Sequence, residues 1–303
     1  MNLNKFPYYP TDCVWREKEF NSFINYNPPL WETDIPQSMH GLAFAWSYMP
    51  HAFSVKCSGL KSPLETFNSD KDLIRKKMKQ MDMRKTPSGL RKTLKMMTGS
   101  QSVSNFRPTA AYGIYRRYMP ENGLTWDMSA GYGGRLLGAI KNFTNYIATE
   151  PCQLTYDSLN EMINDFGKTS NLFNNYPHLE IVKLGSEEYL PDRNSIDLAF
   201  TSPPYFDTEH YSDEETQSYI KYPTQELWLD KFLRKTIDNV RRGLKDNGHL
   251  IINIANVKSY KNLEEDVVRV CNEEGFKLKD THRLALSRMN SGFKYEPVFV
   301  FEK

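Results

Sequence analysis

The sequence predicts an α/β protein with a mostly parallel, seven-stranded sheet, helices on both faces of that sheet, and an irregular or helical N-terminal region. From residue 105 onward, short apolar runs alternate with amphipathic helical stretches, a pattern typical of βα units in a parallel sheet. The first apolar run ends in a glycine-rich turn that opens a helix. The 303 residues are 39% hydrophobic and 25% charged, which is ordinary for a globular protein.

The elements of this region follow from the spacing of apolar residues. Strands are predicted at residues 124–128, 145–149, 179–184, 196–201, 249–254, 276–286 and 295–301. Helices are predicted at residues 135–143, 156–166, 225–242 and 263–274, where apolar side chains recur at helical spacing. We expect the helix at 225–242 to end at Gly243, because glycine is a common helix terminator.

The sequence before residue 105 is irregular, with many prolines and weak periodicity. A helix is predicted after Ser69 or Asp70, either of which is a good N-cap. We expect Thr86-Pro87-Ser88-Gly89 to interrupt the helical region and a second short helix to run from Leu90 to Met97. We therefore divide the chain into an N-terminal accessory region, 1–104, and a main domain, 105–303.

The charge is unevenly distributed, although the net charge is only +2. Ten Lys or Arg residues and two Asp residues lie between Lys71 and Met97. Such a basic segment indicates a surface that faces nucleic acid, or else an ordinary solvated helical face. The candidate nucleic-acid-binding residues are Arg75, Lys76, Lys79, Arg84, Lys85, Arg91, Lys92 and Lys95.

The cysteines and the apolar runs bear on compartment and partners. The four cysteines are scattered, with no Cys-x-x-Cys pair and no histidine at zinc-ligand spacing, so we expect buried thiols and no metal. There is no apolar run near 18 residues and no leader-like segment. We expect a cytoplasmic protein, monomeric or homodimeric, that does not bind a membrane.

A glycine-rich turn at a strand-to-helix junction, 127–134, is the first candidate ligand site. Glycine lets the backbone approach a ligand closely, and Glu150, at the end of the next strand, is placed to reach ribose hydroxyls. Ser186 and Glu187 follow the third strand and would line the same crevice. The alternatives are a plain tight turn and a solvated acidic loop. The dinucleotide spacing Gly-x-Gly-x-x-Gly is absent, which disfavours a nicotinamide cofactor.

The second candidate site is Thr201-Ser202-Pro203-Pro204-Tyr205, directly after the fourth strand. Two prolines fix φ and remove two backbone donors, so the loop is stiff and offers unpaired acceptors. A side-chain oxygen and a carbonyl can bind the N–H groups of an aromatic amine and aim its lone pair at a methyl donor, while Tyr205 stacks on the ring; catalysis is then mainly positioning. An isolated sequence of this kind would be only a rigid turn.

The positions of the two candidate sites in the sheet favour ligand-binding loops over plain turns. In a doubly wound sheet with strand order 3-2-1-4-5, the carboxyl ends of strands one and four flank the point where the strand order reverses, and ligands bind there. We therefore expect the glycine-rich turn and the Pro-Pro loop to face one another.

The residues quoted so far resemble those of the DNA amino-methyltransferases, which make N4-methylcytosine or N6-methyladenine. The sequence of the main domain is also similar to those of phage-encoded DNA methylases. The resemblance covers roughly residues 105–303 and also includes Phe106-Arg107-Pro108 and the closing Glu296–Lys303. It implies a Rossmann-like fold that binds S-adenosylmethionine, with Ser202, Pro203, Pro204 and Tyr205 as catalytic residues. The implied cofactor-binding residues are Arg107, Pro108, Asp127, Ser129, Ala130, Gly131, Gly133, Glu150, Ser186, Glu187 and Thr201.

The resemblance also bears on the substrate, which it implies is DNA. Ser202 before Pro-Pro favours cytosine N4 over adenine N6. The sequence departs from the family pattern at two positions. Met128-Ser129 stands where the family usually has Pro-Phe. Ser186 stands where an Asp often binds the adenine amine, and Glu187 would take over that role. A second Pro-Pro sequence, Asn27-Pro28-Pro29-Leu30, lacks the aromatic residue, but some family members are permuted.

Several alternatives stay open at this stage. An RNA base methyltransferase would use the same loop, and a nucleic-acid-binding protein with this fold could have altered or lost catalysis. The resemblance also implies a restriction–modification partner. If the protein is phage-encoded, the implied location is the cytoplasm of the host.

Overall fold

The computed structural model describes residues 3–36, 38–167, 176–289 and 292–303. Within them an eight-stranded sheet forms the centre of the molecule, and a two-stranded ribbon lies beside it. The strands are β1 (Asp34–Ile35), β2 (Lys56–Cys57), β3 (Leu124–Asp127), β4 (Asn145–Thr149), β5 (Leu179–Val182), β6 (Ile196–Thr201), β7 (Glu209–His210), β8 (Leu244–Asn253), β9 (Lys277–Met289) and β10 (Gly292–Glu302).

Helices pack against this sheet and fill the N-terminal region. They are α1 (Cys13–Ile24), α2 (Leu42–Tyr48), α3 (Pro63–Ser69), α4 (Lys71–Gln80), α5 (Pro87–Lys95), α6 (Pro108–Tyr118), α7 (Gly134–Lys141), α8 (Gln153–Phe166), α9 (Ser218–Lys221), α10 (Gln225–Leu227), α11 (Lys235–Gly243) and α12 (Leu263–Glu273). A 3₁₀ turn lies at Pro50–Ser54, and a π-helical segment, Trp228–Arg234, connects α10 to α11.

The order of strands in the sheet is β1-β9-β10-β8-β6-β3-β4-β5. The five strands β5-β4-β3-β6-β8 are mutually parallel and reproduce the predicted order 3-2-1-4-5. The last strand, β10, is antiparallel to both of its neighbours, β8 and β9. The predicted α/β fold with a mostly parallel sheet is therefore confirmed, and β3 and β6 are neighbours at its centre. The sheet has eight strands rather than the predicted seven, because β1 from the N-terminal region pairs with β9.

The N-terminal residues contain more regular structure than the sequence predicted, because α1, α2 and α3 were not expected. In α1 the buried residues are Arg16, Phe20 and Phe23, so a charged residue interrupts the apolar face. Arg16 is 7% exposed and pairs with Glu161 of α8 at 2.8 Å and with Asp165 at 3.4 Å. The partners of this arginine lie far away in the sequence, and for that reason its burial could not be predicted.

The two basic helices form largely as predicted. Asp70 caps α4 by accepting hydrogen bonds from the amides of Asp72 and Leu73. The helix α5 begins at Pro87 rather than at Leu90, because Thr86 caps it and proline is favoured in a first helical turn. Their apolar faces form a small core with neighbouring aromatic side chains: Phe6, Phe53, Phe67, Ile74, Met78, Leu90, Leu94 and Met97.

Other boundaries of the main domain also differ from the predictions. The helix α6, which precedes the first predicted strand, was not expected. Helical structure does end at Gly243 as predicted, but β8 begins directly at Leu244. The N-terminal region also joins the sheets: β1 pairs with β9, and β2 pairs with β7 in the segment that follows the Pro-Pro loop.

Candidate active site

A cavity of about 550 Å³ opens at the carboxyl ends of the central strands. Ten of the predicted site residues line it: Arg107, Ser129, Gly131, Glu150, Ser186, Glu187, Ser202, Pro203, Pro204 and Tyr205. The lining does not include Pro108, Asp127, Ala130, Gly133 or Thr201. The glycine-rich turn and the Pro-Pro loop thus meet in one cavity, as the strand order predicted.

Asp127 lies beneath the glycine-rich turn and holds it in place. Its carboxylate is fully buried and pairs with the Arg135 guanidinium at 2.8 Å, while the Tyr146 hydroxyl donates to it at 2.7 Å. The Ser129 amide also donates to this carboxylate, at 3.2 Å. With these three contacts, Asp127 lies behind the cavity wall and supports the turn.

Two glycines of the turn are required by its geometry. Gly133 has φ +81°, a conformation that other residues rarely adopt. At Gly134 a Cβ atom would lie 1.9 Å from the carbonyl oxygen of Phe106. The close approach brings the segment before α6 against the turn, and Asn105, Phe106 and Arg107 line the cavity there.

Glu150 stands at the end of β4 with its carboxylate facing the cavity. It is 8% exposed; one carboxylate oxygen accepts from the Gly131 amide at 3.2 Å and the other from the Cys152 amide at 2.9 Å. Burial raises the pKa of this carboxyl to about 7, although the two amides act in the opposite direction. The carboxylate therefore titrates near neutral pH.

Glu187 follows β5 and is also buried, at 6% exposed. Its Oε1 accepts from Lys221 Nζ at 2.6 Å and from the Tyr222 hydroxyl at 3.3 Å. Its Oε2 is buried with no hydrogen-bond partner among the described residues. The neighbouring Ser186 hydroxyl is engaged with Thr236 at 2.8 Å, so Glu187 carries the free acceptor of this loop.

The Pro-Pro loop follows β6 and connects to two residues that the sequence analysis did not identify as functional. The Tyr205 hydroxyl lies 3.2 Å from Oε2 of Glu296 on β10 and 3.4 Å from Oδ1 of Asn253 on β8. Burial raises the pKa of the Tyr205 hydroxyl, and the nearby Ser202 side chain acts in the lowering direction. Glu296 had been noted only as part of the closing strand, and only the antiparallel pairing of β10 with β8 brings it to the loop.

The cavity is acidic. Five of its lining residues are glutamates: Glu150, Glu187, Glu209, Glu264 and Glu296. The lining cations are Arg107, Arg135 and Lys294, and Arg135 is already paired with Asp127. Burial raises the pKa values of Glu150, Glu209 and Glu296, and a cationic ligand beside them would favour their charged forms.

The predicted nucleic-acid-binding residues lie on α4, on α5 and between these helices, outside the cavity lining. All of them are exposed except Arg91, which is half-buried. Arg91 packs on the Tyr9 ring at 3.7 Å and donates to the Pro7 carbonyl at 2.7 Å. Arg75 pairs with Asp72 at 2.5 Å. Arg91 therefore also fastens the N-terminal segment to α5.

Three further observations concern sequence-based expectations. The second Pro-Pro sequence, 27–30, contributes no residue to the cavity. The described part of the chain contains no cluster of three or more His, Cys, Asp or Glu side chains able to hold a metal ion. No helix in the described ranges has the length and apolarity needed to span a bilayer.

Comparison with protein families gives a match in the C-terminal part of the chain. Residues 196–303 match the model of the N6/N4 DNA methylase family. The match begins at β6, so it includes the Pro-Pro loop and Glu296, and it confirms the predicted family resemblance for these residues. The similarity to phage-encoded enzymes stays a prediction. No curated protein matches the chain in sequence.

Solved structures that match the chain include several methyltransferases. A SAM-dependent methyltransferase from Methanosarcina mazei is 13% identical, with 63% of this chain and 96% of that chain covered and a TM-score of 0.42. Magnesium protoporphyrin IX methyltransferase from Synechocystis with bound SAM is 12% identical, with 65% and 79% covered and a TM-score of 0.44.

A third match, a transferase candidate from Pyrococcus horikoshii, is 14% identical, with 66% of this chain covered and a TM-score of 0.40. The chain spans 64% of the length of that protein. Because all three TM-scores are below 0.5, the assignment of the fold rests on the strand order described above.

Proposed function

We propose that this protein transfers a methyl group from S-adenosylmethionine to an exocyclic amino group of a DNA base, with cytosine N4 favoured over adenine N6. One observation carries the proposal: Ser202-Pro203-Pro204-Tyr205 shares a single cavity with Glu150 and Glu187. A rigid set of amine acceptors and two buried carboxylates suited to a nucleoside thus face the same space.

The residues of the cavity fit this cofactor. The Glu150 carboxylate retains free lone pairs for ribose hydroxyls, and the unpartnered Oε2 of Glu187 is an acceptor for an adenine amine; an unsatisfied buried acceptor is costly until a donor reaches it. The acidic lining suits a sulfonium cation. When bound, the cofactor supplies an electrophilic methyl group. Arg107, Ser129 and Gly131 are the further lining residues proposed to hold it.

The Pro-Pro loop supplies what an aromatic amine needs to react. The amine's lone pair is delocalised into the ring, so it becomes nucleophilic only when its N–H groups are held out of the ring plane. The Ser202 oxygen and a loop carbonyl are the proposed acceptors, and the face of Tyr205 is the proposed stacking surface. Fixing these acceptors before the substrate binds contributes to the rate mainly through orientation.

DNA is the proposed partner because of the basic helices α4 and α5. Lysines and arginines there can neutralise phosphates and offset the cost of a few kcal/mol for extruding a base from the duplex. The region 1–104 is accordingly proposed to take part in DNA binding. RNA is the alternative substrate, and binding of nucleic acid without methyl transfer is the second alternative. Cytoplasmic location, monomeric or dimeric state and a restriction partner remain predictions.

The test is transfer of labelled methyl groups from S-adenosylmethionine to duplex DNA and to total RNA in parallel, followed by identification of the modified nucleoside. Ser202→Ala serves as the control for turnover, and calorimetry measures cofactor binding to both forms. N4-methylcytosine in DNA is the expected product. Formation of N6-methyladenine would change the proposed target from cytosine to adenine, and label in RNA alone would change the proposed substrate from DNA to RNA. Absence of cofactor binding would refute the proposal that the protein is a methyltransferase.

A further inference from the structure

A line of polar side chains leads from the Pro-Pro loop to a carboxylate on β10. The Tyr205 hydroxyl lies 3.2 Å from Glu296 Oε2. Burial raises the pKa of that hydroxyl, and the nearby Ser202 side chain acts in the lowering direction. All three residues line the cavity. Ser202 is the residue proposed to bind the reacting amine, so this line connects the site of methylation to a titratable group on another strand.

The two acceptors available to the Tyr205 hydroxyl differ in one chemical respect. The oxygen of Asn253, at 3.4 Å, belongs to an amide, which is a very weak base and cannot keep a proton near neutral pH. The oxygen of Glu296 belongs to a carboxyl group, which can. The Asn253 amide instead donates to the Pro297 carbonyl at 2.9 Å and so ties β8 to β10 beside Glu296.

An acceptor of this kind is needed after methylation. The nitrogen lone pair forms the new N–CH₃ bond while the donor sulfur keeps the electron pair of its broken S–CH₃ bond. The nitrogen is then positively charged and must lose one N–H proton. A serine hydroxyl can take that proton only if it passes its own proton onward.

We propose that Glu296 is the terminal proton acceptor of the methyl-transfer reaction and acts on the amine through Tyr205 and Ser202. The N–H proton moves to the Ser202 oxygen, the Ser202 proton moves to the Tyr205 oxygen, and the Tyr205 proton moves to Glu296 Oε2. Each oxygen of the relay gains one proton and loses one, and Glu296 ends protonated. This proposal rests on the proposed function.

The surroundings of Glu296 suit a proton acceptor. Burial raises the pKa of its carboxyl, whereas the Tyr205 hydroxyl, Lys294 on the same strand and the Asn253 side chain act in the lowering direction. Glu264 at the start of α12 acts in the raising direction. Glu209 of β7 also interacts electrostatically with Glu296. A buried carboxylate surrounded in this way holds a proton more tightly than one in water.

The main test compares Glu296→Gln with wild type in single-turnover methyl transfer to duplex DNA, with cofactor and DNA both saturating. Glutamine keeps the shape and one acceptor but takes up no proton. We expect the transfer rate to fall at least about tenfold, within the range known for positioned proton acceptors, while DNA and cofactor affinities stay within about twofold. Glu296→Asp should restore part of the rate. Tyr205→Phe, which breaks the line in the middle, should lose the rate as well.

The matched control is Glu302→Gln on the same strand, where the side chain is 45% exposed and pairs with Lys279 outside the cavity. This variant should transfer methyl groups at the wild-type rate. Thermal unfolding of each variant separates loss of the relay from loss of the fold. In wild type the rate should fall as pH falls through the pKa of Glu296, and Glu296→Gln should lack this dependence.

A second readout does not depend on turnover. Infrared difference spectra of the ligand-free protein at several pH values should contain the C=O stretch of a protonated carboxyl that titrates above the ordinary range and is missing in Glu296→Gln. An active wild type with an equally active Glu296→Gln variant would overturn the relay and leave the proposed function intact. A wild type that binds DNA and cofactor without transferring a methyl group would overturn both.

Discussion

Replacing Glu150 by glutamine tests the central electrostatic feature of the site. The pKa of the Glu150 carboxyl is raised from 4.5 to about 7 by burial, and a change of this size corresponds to about 3 kcal/mol. Because the folded state holds the proton more tightly than the unfolded state, Glu150 contributes stability that is fully present below about pH 4.5 and is lost as pH rises to about 7.

The assay is denaturant unfolding of the ligand-free wild type and of Glu150→Gln between pH 5 and pH 8. The free energy of unfolding of wild type should decline relative to that of the variant as pH rises, with a total change of about 3 kcal/mol at most. The comparison removes the contributions of the other titrating groups, because they are common to both proteins. Parallel curves across this range would refute the reasoning, since they would mean that the carboxyl has an ordinary pKa.

The same residue predicts a pH dependence of opposite sign for cofactor binding. Ribose hydroxyls donate hydrogen bonds, so the carboxylate form binds better, and affinity for S-adenosylmethionine should rise as pH passes through about 7. Hydrogen bonds to a charged group contribute about 1.5–3 kcal/mol, so Glu150→Gln should weaken binding by about tenfold or more and remove the pH dependence. Calorimetry at several pH values measures both effects. Affinity that decreased with pH would contradict the proposed role.

Four further predictions follow from the structure. Ser202→Ala should lower kcat by about 10²-fold with cofactor affinity unchanged in calorimetry; a matching loss of affinity would contradict its placement at the amine. Glu187→Gln should weaken S-adenosylmethionine binding by about tenfold, whereas an unchanged Kd would show that Oε2 does not meet the adenine. Lys76→Ala combined with Lys92→Ala should reduce the salt dependence of log Kd for DNA by about two, measured by fluorescence anisotropy, and an unchanged slope would place DNA elsewhere. Asp127→Asn should destabilise the fold by about 3–5 kcal/mol in denaturant unfolding, because Arg135 loses its buried partner.

The main-domain fold could be predicted from the sequence because its signals are local. The strand at 196–201 was predicted with the bounds of β6, and the strand at 145–149 with those of β4. Apolar runs of this kind fix strands wherever both faces of a sheet are buried. Helices whose faces depend on distant partners were missed, and α1, with its buried Arg16, is the clearest case.

In the candidate site, too, some residues could be predicted from the sequence and others could not. Ser202, Glu150 and Glu187 follow strands of a parallel sheet, and the rule that such strands end at one edge brings them together without coordinates. Glu296 obeys no such rule, because β10 runs antiparallel to β8 and its register with that strand decides which of its residues reaches Tyr205. The register results from cross-strand packing over the whole strand.

The sequence by itself therefore determined the fold class, the order of the central strands and the two loops that meet in the cavity, since each depends on local composition and on general rules of parallel sheets. Only the tertiary structure decided that Asp127 lies behind the cavity wall, that Arg91 holds the N-terminal segment, and that Glu296 meets the Tyr205 hydroxyl of the Pro-Pro loop. The physical reason is that these side chains find their partners through burial and charge pairing between segments far apart in the chain, and no local pattern specifies which partner is met.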